Sequence, residues 1–65
     1  MVKISPRERE IVDLLAQGFY YKEIASRLGI SIRTVINLAQ NARRKTNTHN
    51  QTELVRHFYT VVQKY

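Results

Sequence analysis

The 65-residue sequence has no cysteine, one proline and two glycines, and its acidic residues are outnumbered by lysine and arginine, five to eleven. Without cysteine the chain can form neither a disulfide nor a thiolate metal site, and two histidines alone are a poor zinc site. No apolar run approaches the roughly 20 residues that cross a bilayer, and no signal-peptide pattern is present. We therefore expect one small cytoplasmic domain that needs no metal or cofactor and is stabilised by packed helices.

The net charge of +6 is distributed unevenly along the chain. Residues 1–32 hold five basic and four acidic side chains, whereas residues 33–65 hold six basic and one acidic. A basic patch can bind nucleic acid, an acidic protein or an anionic membrane surface. Amide side chains lie among the arginines of the second half, and this combination favours nucleic acid over the other two partners.

The segment from Tyr20 to Lys45 has the pattern of two helices joined by a tight turn. The first helix has an apolar face that ends at Leu28, and Gly29 follows where a left-handed C-cap is needed. Ser31 is a suitable N-cap for the second helix. A short helix, a glycine turn and a longer helix together predict a helix-turn-helix motif.

The second helix of this motif has two contrasting faces when residues are placed about 100° apart. The inner face is small and aliphatic and consists of Val35, Leu38, Ala39 and Ala42, with Thr46 at its end. The outer face has no carboxylate and consists of Arg33, Asn37, Gln40 and Arg44. Such a face can simply be solvated, but arginine, asparagine and glutamine also bind base edges in a major groove.

We therefore predict that the outer face binds double-stranded DNA. The predicted base contacts are its four residues together with Ile36, which would lie against a thymine methyl group. The predicted contacts to the DNA backbone are Tyr20, Lys22, Thr34, Arg43 and Lys45.

Two further helices are predicted on either side of the motif. Ser5, Pro6 and Glu8 form a capping box with proline at the first helical position, and Asn50 or Thr52 can cap the last helix. The sequence thus predicts an all-α domain with helices over 6–17, 21–28, 32–45 and 51–64. The acidic residues of the first helix suit its dipole, and no nucleophile or phosphate-binding loop accompanies them, so we do not expect an enzyme.

The last helix carries two adjoining apolar stripes, which is more than the core of so small a domain needs. The stripe of Leu54, Phe58 and Val61 is predicted to face the core. The stripe of Val55, Tyr59 and Val62 is predicted to form the self-complementary patch of a twofold homodimer. Two alternatives stay open: both stripes, with Tyr65, could serve the monomer core, or they could pack on a preceding domain.

The sequence resembles the LuxR-type helix-turn-helix domain, also called the GerE or FixJ/NarL-type output domain, over about residues 5–58. The resemblance lies in SPREREIVDLLAQG, then KEIASRLGIS, then RTV, then NQTELV, in this order and at these spacings. It implies a four-helix bacterial DNA-binding domain whose third helix enters the major groove and whose fourth often mediates dimerisation. Region 4 of a sigma factor is the nearest competitor, but it usually ends soon after the basic helix.

The sequence departs from the family pattern at several positions. The family commonly has lysine and histidine where Ile36 and Leu38 stand, and a small polar residue at Tyr20. These departures motivate an alternative function, a protein-interaction module of the same fold that acts on a partner regulator or on RNA polymerase. The leading prediction remains a sequence-specific transcription regulator that binds duplex DNA as a dimer.

Overall fold

The computed structural model describes residues 3–59. Four helices follow one another along the chain: α1 (Pro6–Ala16), α2 (Tyr21–Leu28), α3 (Ile32–Thr46) and α4 (Gln51–Tyr59). None of the described residues is in a strand, so the predicted all-α class is confirmed. The bounds of α1 to α3 agree with the prediction to within one residue, and the predicted continuation of α4 to residue 64 lies outside the described range.

The helix ends follow from local sequence. At the start of α1, the Glu8 N–H donates to Ser5 Oγ (3.1 Å), and the Ser5 N–H donates to Glu8 Oε1 (3.0 Å). This reciprocal pair is the predicted capping box. Gly29 ends α2 with φ of 67°, a left-handed conformation that a Cβ atom would strain.

The start of α3 and the start of α4 also show the predicted caps. Ser31 Oγ accepts the Thr34 N–H (3.1 Å) at the start of α3. Asn47 ends α3 in the left-handed region, with φ of 56°. Asn50 Oδ1 accepts the Glu53 N–H (2.9 Å) at the start of α4. Each break therefore lies where side chains satisfy backbone groups that the helices leave unpaired.

The core is formed around α3, which contacts the other three helices. Its buried residues are Ile11, Val12, Leu15, Ile24, Ala25, Val35, Ala39, Ala42 and Leu54. Val35, Ala39 and Ala42 of the predicted inner face of α3 are thus buried, and Leu38 is half-buried against the core. Of the three consecutive aromatic residues, Phe19 and Tyr21 pack against the core, whereas Tyr20 is 75% exposed.

Candidate nucleic-acid interface

The outer face of α3 is open to solvent. All four of its predicted base-contacting residues are exposed: Arg33, Asn37, Gln40 and Arg44. The helix contains no acidic residue to oppose a polyanion. Because the opposite face is fixed in the core, this face can approach a partner without any rearrangement of the domain.

Two isoleucines adjoin the outer face. Ile36, predicted to contact a thymine, is half-buried, and Ile32 is 47% exposed at the first position of α3. Ile32 is not among the predicted site residues. Its position one helical turn before Ile36 is the signal that could have identified it.

Local hydrogen bonds orient part of this surface. Ser31 Oγ and Thr34 Oγ1 lie 2.9 Å apart, so the hydroxyl of Thr34 is held beside the start of α3. Farther along, the guanidinium of Arg44 donates to Asn41 Oδ1. Both Thr34 and Arg44 are nevertheless exposed and accessible to a ligand.

The first turn of α2 contributes a second exposed region, with Tyr20 and Lys22 at the surface. The Tyr20 N–H donates to Glu23 Oε1 (2.8 Å), but the phenol of Tyr20 caps no backbone group. Where the family pattern places a small polar residue, this chain therefore has an exposed ring instead. Close by, the Arg27 guanidinium lies over the Phe19 ring, 4.3 Å from its centroid.

Lys45 has a partner within the domain that its local sequence does not predict. Its Nζ lies 2.8 Å from Glu8 Oε1, which joins the end of α3 to the start of α1. Glu8 is only 4% exposed, whereas the lysine side chain is 33% exposed. This pair gives Lys45 a structural role, which competes with the phosphate contact predicted for it.

The environment of Glu8 favours its charged form. Burial by itself raises the pKa of this carboxyl, but hydrogen bonds from Lys45 and from Ser5, with the charge of Lys45, together hold the pKa below its ordinary value. The carboxylate therefore remains charged at neutral pH. Since it is buried, removal of Lys45 would leave it without its cation.

The basic residues at the end of α3 also suit its dipole. Arg43, Arg44 and Lys45 occupy the last turn, where backbone carbonyls carry a partial negative charge. Arg43 is half-buried, unlike Arg44. The positive charge here consequently has a local stabilising function in addition to any contact with DNA.

Helix α4 packs on α1 and α3. Leu54 is fully buried and Phe58 packs against the core, as predicted for the first stripe. Val55 is half-buried and also packs against the core, which favours the alternative in which the second stripe serves the monomer. Tyr59 is the last residue of α4, and Val61 and Val62 lie outside the described residues.

Between residues 3 and 59 no cluster of three histidine, aspartate or glutamate side chains could hold a metal ion. Over the same range, none of the helices has the length and apolar character needed to cross a membrane.

A family model described as bacterial regulatory proteins, luxR family, matches residues 2–58. The chain belongs to this family. It is therefore a DNA-binding domain of the type found in transcription regulators, not a member of an enzyme class or a sigma region 4. The predicted resemblance is confirmed over slightly more of the chain than residues 5–58.

Curated relatives agree with the family. The chain is 44% identical over 52 residues to the response regulator Rre1 of Synechocystis sp., which covers 80% of this chain and 22% of that protein. It is 39% identical over 56 residues to the transcriptional regulatory protein UhpA of Escherichia coli, which covers 86% of this chain and 29% of that protein. This LuxR-family chain thus spans about a quarter of the length of these relatives.

A solved structure confirms the fold. The RcsB response regulator of Salmonella typhimurium, studied for its conformational dynamism in DNA interaction, superposes with a TM-score of 0.84 at 33% identity. The match covers 89% of this chain and 28% of RcsB. The four-helix LuxR-type architecture predicted from the sequence is therefore correct.

Proposed function

We propose that this LuxR-family domain binds duplex DNA sequence-specifically by placing α3 in the major groove. The observation that carries the proposal is the contrast between the two faces of α3. Its inner face is buried in the core, while Arg33, Asn37, Gln40 and Arg44 are all exposed on a helix without acidic residues. These side chains bind guanine and adenine edges, so they supply specificity.

The DNA backbone would supply most of the affinity. Tyr20, Lys22 and Thr34 are exposed, and Arg43 is half-buried beside the outer face, so each is assigned a phosphate contact. Lys45 is assigned a secondary part here, because its ammonium group is paired with Glu8. To bind a phosphate, the ammonium group must either release the Glu8 carboxylate or contact the carboxylate and the phosphate together.

In the cell, we assign the chain to a bacterial cytoplasmic transcription regulator that acts as a homodimer. The relatives named above are regulators more than about three times as long, which fits residues 1–65 being a single DNA-binding unit. A twofold axis near α4 would place two copies of α3 about 34 Å apart, one turn of DNA, and would predict an inverted-repeat site. Tyr59 and Val62 are the residues assigned to this interface, with Val55 contributing its exposed edge.

The test is a binding titration with the variants Asn37→Ala and Gln40→Ala. A preferred duplex is first selected from a random library with the wild-type chain, and affinity is then measured for that duplex and for unrelated DNA. Each variant should lose about 1–3 kcal/mol of binding to the preferred duplex and little to unrelated DNA. Gln17→Ala, which removes an exposed amide on the first helix's C-cap, is the matched control and should change neither value.

The same titration distinguishes DNA binding from the alternative function. The 75% exposed ring of Tyr20 is the observation that favours a protein-interaction module, with RNA polymerase or another regulator as partner. A groove-binding domain loses affinity steeply as salt is raised, because DNA binding releases counterions. Absence of DNA binding even at low salt would overturn the DNA-binding proposal and leave the interaction module.

A further inference from the structure

Two isoleucines of α3 have no role in the core. The half-buried residues that pack against the core include Ile30 and Leu38, but Ile36 is not one of them, and Ile32 is exposed. In the turn before α3, Ile30 packs against the core instead, and Val35, at the fourth position of α3, is fully buried. Neither Ile32 nor Ile36 thus belongs to the packed core.

The two side chains lie close together on the helix surface. Residues four apart in an α-helix are neighbours, about 40° apart around the axis and about 6 Å along it. The next residue in this row is Gln40, which belongs to the outer face. Ile32 and Ile36 therefore form a short aliphatic ridge along one edge of that face, directly beside groups that bind bases.

We propose that this ridge, Ile32 and Ile36, reads the C5-methyl groups of two thymines in the binding site. The proposal rests on the proposed function, since it requires α3 to enter the major groove. The thymine methyl is the one apolar group that a base presents there, and aliphatic side chains bind it by burial. Ile32 is a specificity-determining residue that this assignment adds to the predicted Ile36.

The spacing of the two isoleucines along α3 limits which thymines they can contact. Successive base pairs are about 3.4 Å apart along the duplex, so side chains about 6 Å apart reach pairs that are one or two steps apart. A lone exposed aliphatic residue is common at protein surfaces and needs no explanation. Here two exposed or half-buried isoleucines adjoin each other and a row of base-binding side chains. Each isoleucine can therefore contact a different thymine methyl group.

The experiment uses deoxyuridine, which differs from thymidine only by the missing methyl group. In the duplex selected with the wild-type chain, each thymine is replaced singly by uracil and the dissociation constant is measured. At two thymines, one or two base-pair steps apart, replacement by uracil should weaken binding by about fourfold. This factor corresponds to the free energy of burying one methyl group. The Ile32→Ala variant should lose the effect at one of them and keep it at the other.

The Ile36→Ala variant should show the reverse pattern, and Ile32→Val, which keeps a branched side chain, should retain both effects. Thermal unfolding checks that the alanine variants remain folded, and Ile32→Ala in particular should melt like the wild type. The ridge is overturned if no thymine is sensitive or if Ile32→Ala keeps both effects while binding DNA with a steep salt dependence. If the wild-type chain bound no DNA at all, the proposed function itself would be overturned instead.

Discussion

The two ends of α3 carry similar polar and basic residues but use them differently. At the N-terminal end, Ile32, Arg33 and Thr34 are exposed. At the C-terminal end, Lys45 is paired with the buried Glu8, and the Thr46 hydroxyl donates to the Ala42 carbonyl (2.9 Å). The N-terminal end is left available to a partner, while the C-terminal end, which also exposes Arg44, fastens the helix to the domain through Lys45.

This difference shows that a basic residue on a recognition helix is not by itself a contact to DNA. The cations of the last turn compensate the helix dipole, and one of them neutralises a buried carboxylate. Substitutions at the two ends should consequently separate into effects on stability and effects on specificity.

The largest effect on stability is expected for Lys45→Ala. Loss of the ammonium group leaves the buried Glu8 carboxylate without its cation, which should lower the free energy of unfolding by about 1–3 kcal/mol. Arg33→Ala, at the exposed end, should change it by less than about 0.5 kcal/mol. Urea denaturation of the two variants and the wild type measures both values, and equal losses would contradict the contrast between the two ends.

A smaller effect is expected for the N-terminal cap. Ser31→Ala removes the acceptor for the Thr34 N–H and should cost about 1 kcal/mol of stability. Ser31→Gly should cost only a few tenths of a kcal/mol, because glycine is also tolerated at this position. Thermal unfolding distinguishes the two variants, and a Ser31→Ala variant as stable as the wild type would contradict a stabilising role for this cap.

The smallest effect concerns pH. The pKa of Glu8 is lower in the folded chain than its ordinary value of 4.5, so the charged carboxylate stabilises the fold above that pH. This contribution is lost as the pH falls from about 4.5 through the folded-state pKa. Glu8→Gln should therefore be less stable than wild type at neutral pH, with a flatter decline of stability in acid.

The control for this pH dependence is Glu10→Gln, since Glu10 forms an exposed ion pair with Arg7. Its stability should follow the wild-type curve. If the stability of Glu8→Gln and of the wild type declined equally steeply in acid, Glu8 would not be the source of the decline.

The predictable parts of the fold are those that the local sequence determines. Ser5, Gly29 and Ser31 set helix ends through their own side-chain or backbone preferences, and the structure places them as predicted. The two faces of α3 follow from the helical period alone. For these features the relevant partners lie within a few residues.

The parts that were not predictable depend on distant partners. Lys45 and Glu8 are 37 residues apart in sequence, so no local pattern connects them. The contact of Val55 with the core likewise depends on how α4 is oriented, whereas the helical period shows only that it lies on a second apolar stripe. The Arg9 guanidinium lies over the Phe58 ring, 4.8 Å from its centroid, and this contact between α1 and α4 is a third one that periodicity cannot reveal.

The central claim, that the outer face of α3 binds DNA, is tested most directly by NMR of the side-chain amides. The chain is titrated with the selected duplex, and the signals of Asn37 and Gln40 are compared with that of Gln17. The account predicts large shifts for the two amides of α3 and none for Gln17. Unchanged Asn37 and Gln40 signals in a saturated complex would contradict it.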